Sequence, residues 1–260
     1  MKDLVKVNDL IEEAKEHSNF SLKFVPLDLD SCGLLGVTDA SLGGVDKFGT
    51  PTADESKTVK VYSQAGTTVM LAEQPLLKGG RGRFNVLECM SRTIPRVCRS
   101  SMASETRGLA MLTDSVSFFE DALRHVLGGS VLPRAPTVLQ RQSGISWPKT
   151  VVTDARDVYD RLSKETGGLP EQKALTMEIA GIREWMVATS AELRWTADEN
   201  MINDGLTKDK MPSRRHLARI FSLNTWSIEK ATDLLRSTAI DGCAASRQAR
   251  RKQSVSLLRQ

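Results

Sequence analysis

Two short apolar runs in this chain end in the same three residues, Thr-Asp-Ala, and this repetition constrains the fold more than any other feature. The first run leads into Val37-Thr38-Asp39-Ala40 and then into the turn-forming residues Gly43 and Gly44, and the second is Val151-Val152-Thr153-Asp154-Ala155. Aliphatic and β-branched residues in such runs predict buried strands. A carboxylate at the end of a buried strand is costly unless it is paired or binds a metal. We therefore expect Asp39 and Asp154 to lie at exposed strand ends and to have a chemical task.

Together, the two aspartates indicate a shared site if their strands are neighbours in the sheet. The two carboxylates would then converge, and like charges at short distance favour a divalent cation between them. For either aspartate alone, an ordinary turn residue is the alternative explanation. The shared Thr-Asp-Ala pattern favours metal binding for the pair.

Composition limits the other kinds of chemistry. The 260 residues are 40% apolar and 26% charged, as is ordinary for a soluble globular protein, and the formal net charge of +4 permits a nucleic-acid partner. No window approaches the roughly 18 apolar residues of a membrane span, so no membrane partner is expected. The four cysteines form no C-x-x-C pair and no secretory signal precedes them, which predicts reduced thiols in an intracellular protein.

Histidine-based and nucleotide-based chemistry is disfavoured. The three histidines, His17, His125 and His216, lie in helix-like stretches without a pattern of ligands or catalytic partners. The glycine-rich segment at residues 79–82 fits a basic turn better than a phosphate-binding loop, because G-x-x-x-x-G-K-[ST] is absent from the sequence. Carboxylates are therefore the strongest candidates for chemistry.

Hydrophobic periodicity predicts strands first and alternating helices and strands afterwards. An amphipathic helix over residues 3–17 is expected to dock on the domain or on an upstream partner. Strands are predicted at 22–25, up to Asp39, at 59–72, at 83–97 with a bulge near Pro95, up to Asp154, and at 193–195. Helices are predicted at 100–128, after Asp154, and at 171–190, 201–206, 212–223 and 227–239, followed by a basic tail. This order predicts an antiparallel meander within an α/β fold that has one mixed sheet.

Two more carboxylates, Glu105 and Asp204, lie at the ends of predicted elements. Glu105 falls near the first turn of a helix that opens with a serine pair, where the helix dipole favours a carboxylate, so a capping role is an equal alternative. For Asp204, a solvated helix surface is the alternative. Lys208 fits a phosphate contact or a solvated position. The same two interpretations apply to three arginines near the end of the third strand: Arg92, Arg96 and Arg99.

Four short segments occur in a characteristic order along the chain. They are Thr38-Asp39-Ala40-Ser41, Arg99-Ser100-Ser101-Met102-Ala103-Ser104-Glu105, Thr153-Asp154-Ala155 and Asp204-Gly205-Leu206-Thr207-Lys208. Together they resemble the ribonuclease H domain of copia-type retrotransposon polyproteins, over about residues 3–221. The last segment resembles that family's A-D-x-L-T-K signature, with Asn203 in the place of alanine.

The resemblance implies a fold, a site and an activity. The implied fold is a ribonuclease H-like mixed five-stranded sheet with helices on both faces, in which Asp39 lies centrally and Asp154 on the adjacent parallel strand. Asp39, Glu105, Asp154 and Asp204 would be catalytic and would hold two Mg²⁺ ions roughly 4 Å apart, with Mn²⁺ as a substitute. The implied enzyme is an endonuclease that hydrolyses the RNA strand of RNA–DNA hybrids, selected through 2′-hydroxyl contacts in the minor groove.

The resemblance also implies an organisation. The chain looks like the C-terminal piece of a polyprotein without a polymerase signature, so a reverse transcriptase domain outside the chain is a further expected partner. We predict an N-terminal amphipathic helix and linker over residues 1–24 and the ribonuclease H-like domain over 25–223. A C-terminal helix and basic tail would occupy 224–260.

Departures from the family pattern keep alternatives open. Leu42 stands where relatives usually have tryptophan, and Ala174-Leu175-Thr176 stands where His-Ile-Asp is frequent. No predicted metal ligand is lost, so a nuclease is the leading hypothesis, and a catalytically decayed nucleic-acid-binding or scaffold remnant is the second. A DNA-cutting or strand-transfer enzyme of the same fold is a third, against which Glu105 and the Asp-x-Leu-Thr-Lys segment argue.

Overall fold

The computed structural model of the chain describes residues 21–45, 62–128, 147–163, 173–208 and 211–228, with several positions between 4 and 18. The strands are β1 (Cys32–Val45), β2 (Tyr62–Glu73), β3 (Arg81–Thr93), β4 (Lys149–Thr153), β5 (Glu192–Trp195) and β6 (Thr225–Ser227). The helices are α1 (Gln74–Leu77), α2 (Ser101–Gly128), α3 (Arg156–Ser163), α4 (Lys173–Thr189), α5 (Asp204–Thr207) and α6 (Met211–Leu223).

The described strands form one six-stranded mixed sheet in the order β5-β4-β1-β2-β3-β6. The first three strands are an antiparallel meander, and β6 adds antiparallel to β3. β4 is parallel to β1, and β5 is parallel to β4, because α2 and α4 lie in the connections that return the chain. The predicted mixed sheet is confirmed, with six strands in place of five because β6 follows α6.

β1 continues past Asp39 to Val45, so the prediction that this strand ends at Asp39 is wrong. Its pairing with β2 is regular as far as Ser41 and then shifts in register. Gly43 accommodates the shift with φ 61°, a conformation that glycine adopts without a steric penalty. Its N–H donates to Ser63 Oγ at 3.2 Å. The glycines that suggested a turn therefore form an irregularity within a longer strand.

Helices cover both faces of the sheet, as predicted. On one face, α2 inserts the fully buried side chains Leu109, Leu112 and Val116 into a cluster that also receives α3 and α4. On the other face, Met201 and Ile202 pack with α1, α6 and β6 in a second cluster. Of the helices in the described ranges, none combines the length and apolar character needed to cross a bilayer.

A buried ion pair fixes the beginning of β4. Lys149 Nζ lies 2.8 Å from Glu120 Oε1 of α2, and the guanidinium of Arg124 lies 2.9 Å from the same oxygen. The ammonium also donates to the carbonyls of Trp147 and Thr189 at 3.0 and 3.3 Å. These hydrogen bonds offset the cost of removing two charges from water. The pair ties β4 to α2 and to the end of α4, at the opposite end of β4 from Asp154.

The segment at residues 22–25, predicted as a strand, has no regular secondary structure. The side-chain amide of Asn85 pairs with the backbone N–H and carbonyl of Val25 at 2.8 and 2.9 Å. The amide of Asn224 donates to the carbonyl of Lys23 at 2.8 Å. Two asparagine side chains therefore supply the hydrogen bonds that a neighbouring strand would have supplied.

Both ends of the domain differ in detail from expectation. The described positions between residues 4 and 15 are helical, but Leu4, Val7 and Ile11 of the predicted apolar face are exposed. β6 and the buried Ile228 extend the sheet beyond residue 223, where the domain was predicted to end. Ser227 is therefore in a strand and not at the start of the predicted helix. The rest of that helix, the basic tail, the loop at 46–58 and most of the segment at 130–149 lie outside the described residues.

Candidate metal centre

Asp39 is the most deeply buried carboxylate of the site. It lies on β1, between β4 and β2, and is 2% exposed. The hydroxyl of Thr207 donates to Asp39 Oδ2. Burial raises the pKa of Asp39 above its ordinary value, opposed by the hydrogen bond from Thr207 and the positive charge of Lys208. A carboxylate buried to this degree needs nearby positive charge to ionise at low cost.

Glu105 reaches the site from the second turn of α2. The N–H of Ala103 donates to Ser100 Oγ at 3.2 Å, so the serine and not Glu105 caps the helix. Glu105 Oε1 accepts the backbone N–H of Ala40 at 3.2 Å, whereas the buried Oε2 has no hydrogen-bond partner among the described residues. Burial, followed by the charges of neighbouring aspartates, raises the pKa of Glu105 to about 9. This environment suits a cation ligand better than a capping residue.

Asp154 follows β4 directly, on the strand that is adjacent and parallel to β1. Its turn is fixed from two sides: the N–H of Ala155 donates to Thr153 Oγ1 at 3.1 Å, and Trp195 Nε1 donates to the Asp154 carbonyl at 2.7 Å. Burial and the charge of Asp39 raise the pKa of Asp154 to about 7. The strand end predicted from the second Thr-Asp-Ala segment is confirmed.

Carboxylate oxygens of Asp39, Glu105 and Asp154 all lie within 4.8 Å of one another. The group contains carboxylates alone, and oxygen donors suit the hard cations Mg²⁺, Mn²⁺ and Ca²⁺. The unpartnered Glu105 Oε2 is the kind of buried acceptor that a cation would satisfy. The residues therefore fit a divalent cation.

Asp204 lies beside this cluster and not within it. Its Oδ1 is 2.5 Å from Lys208 Nζ, and its negative charge acts on both Asp39 and Asp154. Lys208 has a raised pKa although burial acts in the opposite direction, because of its hydrogen bond to Asp204 and the nearby carboxylates. The structure thus brings three of the four predicted ligands together and pairs the fourth with an ammonium.

Asn203, where the chain departs from the family signature, connects α5 to the sheet. The side chain is fully buried, and its Nδ2 donates to the carbonyls of Val37 and Gly66 at 2.6 and 3.1 Å. Its Oδ1 accepts the hydroxyl of Thr68 at 2.8 Å. Sequence reasoning missed this role, and the departure from alanine was the one signal that pointed to it. Asn203 directly precedes Asp204, and its hydrogen bonds hold the beginning of α5 against both β1 and β2.

The arginines considered as phosphate contacts are all exposed, Arg92 near the end of β3 and Arg96 and Arg99 on the segment that joins β3 to α2. The guanidinium of Arg92 contacts Met90 Sδ, and that of Arg96 lies 3.9 Å from Glu178 Oε1. Arg99 directly precedes the serine that caps α2. These side chains are accessible to a phosphate backbone and equally to water.

Comparison with known proteins finds matches among solved structures only. No protein-family model and no curated protein matches the chain. Ribonuclease H1 from the halophilic archaeon Halobacterium salinarum has a TM-score of 0.40 and 11% identity, over 68% of this chain and 95% of that chain. LC11 ribonuclease H1 in complex with an RNA/DNA hybrid has a TM-score of 0.40 and 12% identity, over 70% and 99%. The N-terminal ribonuclease H domain of rv2228c from Mycobacterium tuberculosis has a TM-score of 0.38 and 17% identity, over 71% and 99%.

The mixed sheet lies between two helical layers, and the acidic cluster is formed by Asp39 of β1, Asp154 just after β4 and Glu105 of α2. At identities of 11–17%, the likeness assigns neither an activity nor a substrate.

Proposed function

We propose that this domain is a metal-dependent endonuclease that hydrolyses the RNA strand of RNA–DNA hybrids. The observation that carries the proposal is the meeting of Asp39, Glu105 and Asp154 within 4.8 Å on a ribonuclease H-like sheet. Asp204 is the fourth proposed ligand. Mg²⁺ is the proposed cation, with Mn²⁺ as a substitute, because Mg²⁺ retains waters and shares phosphate oxygens with carboxylates.

The chain's own residues prepare the site. Bound divalent cations would supply charge stabilisation for the phosphodiester and activation of the attacking water. The Ala40 N–H and the Thr207 hydroxyl orient the carboxylates of Glu105 and Asp39. Burial of these two groups holds them in one geometry and strengthens their interaction with any cation.

The substrate and the origin of the chain belong to the same proposal. An RNA/DNA hybrid is bound in the LC11 structure and in that of a foamy viral protease–reverse transcriptase. Selection of the RNA strand would use 2′-hydroxyl contacts, and exposed arginines such as Arg96 and Arg99 would contact phosphates. The four sequence segments support a copia-type retrotransposon origin, with a reverse transcriptase domain as partner.

Cleavage of an end-labelled RNA–DNA hybrid in Mg²⁺ tests this function. We expect the wild type to cut the RNA strand, Asp39→Asn and Asp154→Asn to lose activity by several orders of magnitude, and EDTA to abolish it. Asp114→Asn is the matched control, because Asp114 is exposed on α2, and its activity should equal that of the wild type. RNA–RNA and DNA–DNA duplexes serve as substrate controls.

Absence of cleavage by the wild type would contradict the nuclease. If the same protein still bound the hybrid, the catalytically decayed binding or scaffold remnant would be supported. Preferred cutting of the DNA duplex would support the third hypothesis.

A further inference from the structure

Lys208 places a positive charge among the carboxylates of the site. Its Nζ lies 2.5 Å from Asp204 Oδ1, and its side chain is 34% exposed. The charge also acts on Asp39, Glu105 and Asp154. Among the described residues, none of these three forms an ion pair within 4.0 Å, so the ammonium is directly paired with Asp204 alone.

The backbone holds Lys208 in this position. The Lys208 N–H donates to the Asp204 carbonyl at 2.9 Å at the end of α5. The preceding residue, Thr207, is anchored by its hydroxyl to Asp39. Asn203 fixes the other end of α5 to the sheet. Both ends of α5 are therefore attached to the sheet, and this holds the Lys208 ammonium beside Asp204.

We propose that the Lys208 ammonium is an internal cation that occupies the place of the second divalent ion at Asp204. At 2.5 Å no ion fits between Nζ and Oδ1, so a divalent ion at Asp204 must either displace the ammonium or bind beside its positive charge. The first ion binds Asp39, Glu105 and Asp154 without that displacement. This inference rests on the proposed metal-binding function. It predicts that the second ion binds more weakly than the first, because only the second competes with the Lys208 ammonium for Asp204.

The inference predicts how Lys208 variants bind cations. Lys208→Met keeps the side-chain length and removes the charge, so the second ion should bind at least about tenfold more tightly, because a like charge at contact distance is removed. Lys208→Arg keeps the charge and should keep the weak second affinity. Asp204→Asn should lose the second ion, and adding Lys208→Met to it should not restore that ion.

Binding of Mn²⁺ to the full chain, measured by the electron paramagnetic resonance of free Mn²⁺ without nucleic acid, tests the inference. The expected result is one tight and one weak ion for the wild type, and two tight ions for Lys208→Met. Unchanged or weaker second binding in Lys208→Met would overturn it, as would absence of Mn²⁺ binding from both proteins. Lys208→Gln is the second neutral variant if Lys208→Met does not fold, and unfolding curves monitor the fold of each protein.

The same experiment separates this inference from the nuclease. Mn²⁺ binding with the expected Lys208 dependence but no cleavage of the hybrid would contradict the proposed activity and leave the role of Lys208 supported. If the wild type cleaved the hybrid but Lys208→Met and the wild type bound Mn²⁺ with identical affinities, the nuclease would be supported and the role proposed for Lys208 would be contradicted.

Discussion

Gly66 lies directly opposite Asp39 in the register of β1 and β2. A Cβ atom at Gly66 would come within 2.7 Å of Leu206 Cβ and 3.1 Å of Thr207 Cγ2. α5 therefore rests on the sheet in the space that a side chain at Gly66 would fill. α5 begins with Asp204. The absence of a side chain at Gly66 therefore allows the Asp204 carboxylate to approach those of Asp39, Glu105 and Asp154.

Gly66→Ala should displace α5 while the sheet remains folded. A separation of 2.7 Å from a Cβ atom is too short for contact, and α5 is a single turn that moves more easily than β2. We expect weaker binding of the second Mn²⁺ ion and a lower rate of hybrid cleavage. Gly181→Ala is the control, because a Cβ there meets nothing within 4 Å and alanine in a helix adds about 0.5–1 kcal/mol of stability. Equal Mn²⁺ binding by Gly66→Ala and the wild type would contradict this.

Asn203→Ala should destabilise the domain even though alanine is usual at this position in the resembled family. The change leaves the buried carbonyls of Val37 and Gly66 without their donor and Thr68 without its acceptor. The free energy of unfolding should fall by roughly 2–3 kcal/mol, as for other buried polar groups left unsatisfied. Urea unfolding measures this, with Asn200→Ala, which loses one 3.4 Å hydrogen bond, as the control. A loss no larger than that of the control would argue against the role given to Asn203.

The fold was predictable where one local pattern decides the structure. The β-branched run at Val151 predicted β4, and the apolar spacing from Leu109 to Val116 predicted α2. The errors arose where distant side chains decide. The predicted strand at residues 22–25 has its hydrogen bonds satisfied by Asn85 and Asn224, which lie far away in sequence. A glycine pair predicted a turn at Gly43, because sequence does not show that Ser63 stabilises a strand irregularity there.

The structure brings three of the four predicted ligands together, but their arrangement was not predictable from the sequence. The repeated Thr-Asp-Ala pattern identified Asp39 and Asp154, yet Asp39 is buried within a strand and not at its end. The position of Glu105 fitted a helix cap, and only the fold shows that Ser100 fills that role while Glu105 faces Ala40. Such contacts depend on how α2 packs across the sheet, which local sequence does not determine.

Without cations, stability should decrease as the pH rises from about 4.5 towards about 9. The pKa of Glu105 is raised from 4.5 to about 9 and that of Asp154 from 3.8 to about 7, so the folded state holds protons that the unfolded state has released. Glu105→Gln removes one of these protonations and should make the free energy of unfolding depend less steeply on pH. Urea unfolding in EDTA at several pH values measures it, with Asp114→Asn expected to follow the wild type. Stability that increases through this range would contradict the raised pKa values.

Mn²⁺ should bind more tightly as the pH rises through the same range. Carboxylates bind cations in their ionised form, so binding must release the protons held by Glu105 and Asp154. Calorimetry in buffers with different ionisation enthalpies measures the proton release at pH 7. Glu105→Gln should release fewer protons than the wild type, and an equal release by both proteins would contradict a protonated Glu105 in the metal-free site.

Glu120→Gln should weaken the fold without changing the acidic site. Lys149 is 3% exposed and would retain a buried charge with a weaker partner, which costs about 3–5 kcal/mol when a buried pair is broken. Glu192→Gln is the control, because the Glu192–Arg194 pair is on the surface and contributes at most about 1 kcal/mol. Urea unfolding gives the stabilities, and Mn²⁺ binding at temperatures where both variants are folded should match the wild type. A changed Mn²⁺ affinity would show that the ion pair acts on the site.

Anomalous diffraction from crystals grown with Mn²⁺ tests the central claim most directly. We predict a peak bound by oxygens of Asp39, Glu105 and Asp154 at about 2.1–2.3 Å, between the distances typical of Mg²⁺ and Ca²⁺, and no such peak in crystals of Asp39→Asn. The absence of a peak from the wild-type site at saturating Mn²⁺, or a peak bound by other residues alone, would contradict the account.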